Sequence, residues 1–371
     1  MIFDSNRKEF YDAASLAASP STGRATTVNL YKMLLIEAGD NNLKITGCDG
    51  EMWVERTIPT MVSAAGSAAL DAKLLLDILG SMPDGDIHVE QPNGSPNVNL
   101  TIGSSDYRIV GADPQDYPPV PEITEGATIT IKSKEIDALI DSVAFAVSSD
   151  NQARQVLSGI LFDYDGDTIR AVATDTHRLA HLRTSSPGIG TAVSAIVPAR
   201  VLNVIKKLPV GPDSELQMSF GDRRMMLQTD GIRIVAQMIN GQFPPYERVI
   251  PSECTRKWLM DRIGFRDCLK RCAVLARDNS GRVILKSDGD KLTLSARSEG
   301  IGEVKEELQL VRKDGEDTEI AFNGAFLLDA LEATSTEGIQ LEMTENDRAA
   351  VLRPSEAYVD YLCVIMPMAL V

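Results

Sequence analysis

This 371-residue chain is poor in the residues from which active sites are usually built. It holds three histidines, two tryptophans and only 5% aromatic side chains. None of its five cysteines stands in a Cys-x-x-Cys pair, which argues against a disulfide framework and for reduced thiols. No apolar run approaches the roughly 20 residues that span a bilayer, so no membrane association is expected. The opening Met1–Glu9 segment lacks the apolar core of a signal peptide, and a cytoplasmic location is expected. A phosphate loop and a Gly-x-Ser-x-Gly elbow are absent, and Gly188 and Gly190 lack the third glycine of a dinucleotide fingerprint. His177 and His181 lie four apart with Asp175 nearby. On the extended strand expected here they share a face about 13 Å apart, at roughly 3.3 Å per residue, too far to share a metal. Cys268 and Cys272 sit on a helix face among Leu269 and Leu275 and read as core filler. The expectation is therefore no metal, no cofactor and no enzymatic activity.

What the chain has instead is repetition. Asp49 in Thr-Gly-Cys-Asp-Gly is answered by Asp175 in Ala-Thr-Asp-Thr-His, 126 positions on. The stretch Ala72–Leu79 returns as Ala199–Lys206 and again as Ala325–Leu331, at shifts of 127 and 126. Tyr117-Pro118-Pro119 returns as Phe243-Pro244-Pro245, and Pro244 has a counterpart in Pro367. A period this long exceeds the roughly 20–50 residues of a solenoid unit, so the repeat is a whole domain. Three domains are expected, at 1–124, 125–251 and 252–371, with linkers at the proline clusters 118–125 and 244–253.

Each repeat reads as α+β, with two helices on one face of antiparallel sheet. The first helices are expected near Phe10–Ala18, at Lys134–Val147 with Ile136, Leu139, Ile140 and Val143 on one stripe, and at Phe265–Ala276 with Cys268, Leu269, Cys272 and Leu275 inward. The second helices fall near 71–80, 198–208 and 324–333. Hairpins are expected around Ala38–Asn41, Asp165–Asp167 and Ser287–Asp290.

Charge is unevenly placed. The net charge is −16, yet Arg256–Arg277 carries seven basic residues and two acids, while Glu303–Glu319 carries seven acids and three bases. Arg200, Lys206 and Lys207 make a smaller basic island on the matching element of the second repeat. The chain closes on Tyr361–Val371, almost wholly apolar, whose first half is expected to be a buried strand. Its methionines would either close the core or line an adaptable groove for apolar peptides.

Three segments, Ala173–Ala180, Phe243–Pro251 and Val364–Met368, resemble the best-marked stretches of the bacterial sliding clamp, the beta subunit of the replicative DNA polymerase. The resemblance runs the length of the chain, with the repeats in family order. It implies a head-to-tail homodimer, a ring of six domains around duplex DNA, that tethers the replicative polymerase, the clamp loader and other proteins carrying a clamp-binding motif. It places a partner-peptide pocket at Leu157, Thr174, His177, Arg178, Leu179, Pro244, Arg248, Val249, Asn323, Phe326, Val364, Met366, Pro367 and Met368. The apolar members would receive leucine or phenylalanine anchors, and Arg178 and Arg248 would pack their stems and hydrogen-bond with their heads. DNA-facing candidates are Lys73, Arg200, Lys206, Lys207, Arg266, Lys270 and Arg271, with Arg24 and Arg154 on loops. The subunit seam would join Tyr107 and Ile109 of one chain to Val274 and Leu275 of the other. Three positions depart from the family pattern: Thr176 stands where glycine is usual, Gln155-Val156 where an aromatic stretch is usual, and Ala369 where arginine is usual.

Helix size gives an independent check on ring size. Six helices spaced about 9 Å apart leave a bore of about 7 Å, too narrow for a duplex. Twelve leave about 24 Å, which passes a duplex of roughly 20 Å. A repeat scaffold that binds proteins without encircling DNA would explain the repeats and the apolar tail, though not the basic islands. A metal-dependent hydrolase would require His177 and His181 to converge.

Overall fold

A computed structural model describes residues 1–21, 28–123, 126–149, 154–185, 191–277, 280–356 and 358–370. The first repeat contains β1 (Ile2–Asn6), α1 (Arg7–Ala17), β2 (Met33–Gly39), β3 (Asn42–Cys48), β4 (Met52–Pro59), β5 (Met61–Ala64), β6 (Gly66–Asp71), α2 (Ala72–Ser81), β7 (Asp86–Glu90), β8 (Asn97–Ile102) and β9 (Ser105–Val110). The second contains β10 (Ala127–Lys132), α3 (Ser133–Val143), β11 (Gly159–Tyr164), β12 (Thr168–Thr174), β13 (Arg178–Ser185), β14 (Val193–Pro198), α4 (Ala199–Ile205), β15 (Glu215–Phe220), β16 (Arg224–Thr229) and β17 (Ile232–Gln237). The third contains β18 (Arg256–Asp261), α5 (Arg262–Ala276), β19 (Arg282–Asp288), β20 (Lys291–Ser298), β21 (Gly302–Gln309), β22 (Arg312–Asp314), β23 (Glu319–Asn323), α6 (Gly324–Glu332), β24 (Gly338–Met343), β25 (Ala350–Pro354) and β26 (Asp360–Ile365). Each third has the expected two helices among antiparallel strands, an α+β plan repeated three times.

The chain folds as two compact units, 1–133 with 200–238 and 134–199 with 239–371. In the first, a five-stranded sheet runs β5-β1-β7-β8-β9 and an eight-stranded sheet runs β10-β15-β16-β17-β4-β3-β2-β6. The larger sheet is continuous across two repeats because β17 pairs with β4, Ile234 opposite Val54. In the second unit, a nine-stranded sheet runs β14-β11-β12-β13-β26-β25-β24-β18-β22, beside a four-stranded sheet β21-β20-β19-β23. There the join is β13 with β26, Leu179 opposite Val364. That pairing brings the second repeat's Asp-Thr-His turn beside the closing Met-Pro-Met of the third.

The same local device starts four of the helices. A strand ends on Asn6, Asp71, Asp261 or Asn323, whose side chain then accepts a hydrogen bond from a backbone N–H of the first helical turn. This satisfies donors the helix cannot use internally and fixes the strand-to-helix corner. The α3 stripe Ile136, Leu139, Ile140 and Val143 is buried throughout, as expected. On α5 the helix begins at Arg262, three residues before the expected start, and the core takes Phe265, Cys268, Leu269, Cys272 and Ala276. Leu275 is only half-buried, because the inward stripe steps from Cys272 to Ala276. Between β2 and β3, Asp40 and Asn41 both adopt positive φ, 50° and 56°, the left-handed turn that matches strand twist. Gly47 lets α1 lie directly on β3, since a Cβ there would meet the Ala17 carbonyl oxygen at 1.9 Å.

All five cysteines are unpaired thiols, and four are buried. Burial raises the thiol of Cys272 to about 11, so it stays protonated and behaves as an apolar filler. Among the described residues no helix is long and apolar enough to cross a membrane.

Candidate functional site: a peptide-sized pocket and a charged helix

The second unit holds a cavity of about 850 Å³ lined from several separated segments. Its floor is Leu157, Leu179 and Val364, all buried, the last two being cross-strand partners on β13 and β26. One wall is the turn Thr174–Arg178. Another is Pro244, Pro245, Tyr246 and Val249, and Phe326 and Met366 also line the space. Val147, Ser148, Ser149 and Arg154 complete the lining. Apolar surface with a few polar groups at the edge is the usual composition of a ligand site.

The turn is held by an unusually complete set of bonds. Asp175 Oδ1 accepts the backbone N–H groups of His177 (3.0 Å) and Arg178 (2.9 Å). Thr174 Oγ1 donates to the Arg178 carbonyl (2.7 Å) and accepts from Thr176 N–H (3.2 Å). The His177 carbonyl accepts from Met366 N–H (2.9 Å), and Met368 N–H donates to the Ala321 carbonyl (2.8 Å). The apolar tail is thereby stitched to the body on both sides of Pro367.

Arg178 has a different role from the one expected. Its Nε donates to Asp175 Oδ2 (3.0 Å), Nη1 to Asp329 Oδ2 (2.5 Å) and Nη2 to the Phe145 carbonyl (2.6 Å). Its guanidinium also lies 4.2 Å from the Phe326 ring centroid and 5.1 Å from that of Phe145. Such stacking adds about 0.5–2 kcal/mol. A guanidinium with all three nitrogens engaged and both aromatic neighbours in place is a brace for the pocket wall. Three of its five N–H donors are thereby committed to the fold.

The other expected pocket residues divide. Arg248 is exposed but lies off the lining, as do Pro367 and Met368. Asn323 caps α6 through Oδ1 and donates from Nδ2 to the Ser280 carbonyl, so its side chain works for the fold. Arg154, expected on DNA, is exposed and lines the pocket. Tyr246 was missed as a lining residue although it stands within the Phe243–Pro251 segment. Burial raises its hydroxyl to about 12. Its ring packs on His181 (centroids 5.9 Å) and Phe243 (6.5 Å). His177 lies in the turn before β13 and is exposed, whereas His181 is buried on the strand, its Nδ1 without a hydrogen-bond partner. Only one of the two histidines is therefore on the strand expected to carry both. Among the described residues no group of three His, Cys, Asp or Glu side chains could hold a metal.

On α5 the three cations Arg266, Lys270 and Arg271 stand beside carboxylates, while Arg262 bonds the Thr336 and Leu331 carbonyls. Lys270 Nζ is 2.9 Å from Glu332, Arg271 Nη2 is 2.7 Å from Glu306, and Arg266 bonds its neighbour Asp267 at 2.7 Å. The Arg271 contact holds the Glu306 carboxyl below the usual range, and the Arg266 bond does the same for Asp267. Lys73 pairs with Asp77 one helical turn on (2.6 Å), while Lys206 and Lys207 are exposed. Arg200 does not fit with these. It bonds Asp49 at 2.5 Å and Glu51 at 2.7 Å, and the Asp49 side chain is only 3% exposed, so Arg200 is the counter-charge of a buried carboxylate. Arg24 lies outside the described residues.

At the expected seam, Tyr107 and Val274 are exposed and Leu275 half-buried. Ile109 is instead part of the first unit's core at 2% exposure, because β9 turns that side chain toward α1 and α2's hydrophobic cluster; its neighbour Val110 is the exposed one.

Comparison with known proteins accounts for the three repeats and their order. Residues 1–121, 130–245 and 247–369 match, in order, the N-terminal, central and C-terminal domains of the DNA polymerase III beta subunit. The chain is 27% identical over 340 residues to the beta sliding clamp of Staphylococcus epidermidis, covering 89% of this chain and 90% of that one. A solved DNA polymerase III beta subunit from Pseudomonas aeruginosa superposes with a TM-score of 0.92 at 26% identity, covering 100% of both chains. The beta chain from Streptococcus pneumoniae gives 0.94 at 21% identity over 99% of each. With all three domain types matched in sequence order, the chain belongs to the DNA polymerase III beta subunit family, the sliding clamps that serve as processivity factors.

Proposed function

We propose that two copies of this chain, each of three domains at 1–124, 125–251 and 252–371, close head to tail into a ring around duplex DNA. The ring carries no catalysis of its own. It holds the replicative polymerase, the clamp loader and other motif-bearing proteins by an extended peptide seated in the pocket. The observation that carries the reading is the pocket itself: an apolar floor, a bonded turn and a methionine-bearing tail enclose about 850 Å³, room for two apolar anchors of a peptide. The seam is supported by two strands that end their sheets. β9 and β21 each have one unpaired edge among the described strands, and an exposed edge is a template for pairing. Tyr107 and Val110 on β9, and Val274 on α5, supply exposed apolar surface. The α5 cations, with Lys73, Lys206 and Lys207, would meet phosphates weakly and without sequence preference, which allows sliding.

Gel filtration with crosslinking should give a dimer, and the closed dimer should stay on nicked circular DNA and leave it after linearisation. Retention indifferent to free ends would instead indicate a protein-binding scaffold that does not encircle DNA. Titration with a short peptide bearing a glutamine and two apolar anchors should saturate the wild type and fail on Met366 and His177 variants.

A further inference from the structure

Four non-glycine residues among those described have positive φ: Asp40 (50°), Asn41 (56°), Ser280 (54°) and Thr176 (78°). Three are small polar turn formers of the kind that tolerate this region. Thr176 alone is β-branched, and a branched Cβ crowds the backbone there. The strain persists because the flanking bonds leave the turn no alternative. Asp175 holds the N–H groups of His177 and Arg178, Thr174 Oγ1 holds that of Thr176, and Met366 holds the His177 carbonyl. Nothing in the fold uses the threonine side chain in return. It is exposed, and its hydroxyl makes no hydrogen bond to any described residue. It does line the pocket. Strain that the fold does not need, placed on the wall of a binding site, points to a role in binding.

We propose that Thr176 is a specificity-determining residue of the pocket: the bulk of its branched side chain limits the size of the peptide residue that crosses the turn 175–177. This rests on the peptide-pocket reading above. A small residue of the docking segment passes over the turn, and a large one meets the Thr176 methyl and hydroxyl. The selection is local to one peptide position, because the rest of the pocket is built by other segments.

Two variants separate bulk from strain. Thr176→Gly removes both, while Thr176→Asn removes most of the strain and keeps a side chain of similar size. The probes are synthetic peptides with a glutamine and two apolar anchors, each position in turn carrying alanine, leucine or tryptophan. Binding is read by fluorescence anisotropy and stability by thermal unfolding. Both variants should unfold at higher temperature than the wild type. Wild type and Thr176→Asn should reject a large residue at one peptide position, and Thr176→Gly should relax that rejection by about tenfold while leaving the other positions unchanged. A uniform shift across the series, or the same profile for Gly and Asn, overturns the proposal while leaving the pocket reading intact. Failure of every peptide to bind all three proteins overturns the pocket reading, and this proposal with it.

Discussion

Arg178 and the cations of α5 are both neutralised by carboxylates, but in surroundings that differ sharply. The Arg178 side chain is 11% exposed, with three hydrogen-bonded nitrogens and two aromatic rings against it. Lys270 and Arg271 are 50% and 54% exposed, and each meets a single carboxylate. Water and salt weaken pairs of the second kind to the point that they contribute little to stability, and their partners exchange readily. A phosphate can take the place of Glu332 or Glu306, whereas no ligand can take the place of Asp175, Asp329 and the Phe145 carbonyl together. Ion pairing alone thus does not separate a structural cation from a binding one. Burial of either partner does: Arg178 and Asp49 are 11% and 3% exposed, whereas no member of the α5 pairs falls below 22%.

The largest effect is expected where the cation is locked. Arg178→Ala leaves Asp175 Oδ2, Asp329 Oδ2 and the Phe145 carbonyl without the guanidinium donor and removes the support behind Phe326. A loss of roughly 3 kcal/mol in urea unfolding is expected, together with loss of peptide binding. Arg178→Lys should recover little of either, since an ammonium cannot reproduce the planar fork. Full peptide affinity in Arg178→Lys would dissolve the distinction drawn here.

Arg200 tests the same distinction in the first unit. If it is the counter-charge of Asp49, Arg200→Ala should cost about 2 kcal/mol of stability and Lys207→Ala next to nothing. The double variant Arg200→Ala with Asp49→Asn should recover part of the loss, because the buried charge is gone with its partner. Equal stability of the Arg200 and Lys207 variants would return Arg200 to the DNA-facing group.

How much of this could be read from sequence follows from the range of each interaction. The α3 stripe was legible because Ile136, Leu139, Ile140 and Val143 recur at helical spacing and each is buried. The hairpin at Asp40–Asn41 was legible because those residue types suit its left-handed turn. The resemblance brought Leu157, Leu179, Val364 and Met366 together, and they do line one pocket. The role of Arg178 was not legible: Asp329 lies 151 positions away and Phe145 33, and no local pattern signals either. Nor could the strand pattern alone show that β9 turns Ile109 inward and leaves Val110 exposed, since both are apolar. The basic count of Arg256–Arg277 overstated its positive charge, because Glu306 and Glu332 arrive from other elements.

A smaller effect is expected from a buried titratable group, His181. Burial lowers His181 below the ordinary value of 6.5; Asp360 opposes this, and Arg170, Arg183 and Arg353 reinforce it. The folded protein therefore resists the proton that the unfolded chain accepts. Stability should be independent of His181 well above pH 6.5 and should fall as the pH drops through 6.5 toward the lower folded-state value. A His181→Gln variant should show a shallower fall over that window in urea unfolding. Identical slopes would mean that the ring is solvated in the folded state.

The smallest structural effect, and the sharpest test of the exposed class, is expected from α5. Lys270→Gln with Arg271→Gln removes two exposed cations from partners that are 55% (Glu332) and 22% (Glu306) exposed, so the unfolding midpoint should fall only slightly. If these side chains trade carboxylates for phosphates, the salt dependence of DNA retention should flatten by roughly one unit of slope per contact removed. Peptide binding should be untouched, because neither residue lines the pocket. An unchanged salt slope together with a clear fall in the unfolding midpoint would mean that Glu306 and Glu332 hold these cations as firmly as Asp329 holds Arg178. The contrast between exposed and buried pairs would then fail where it should be strongest.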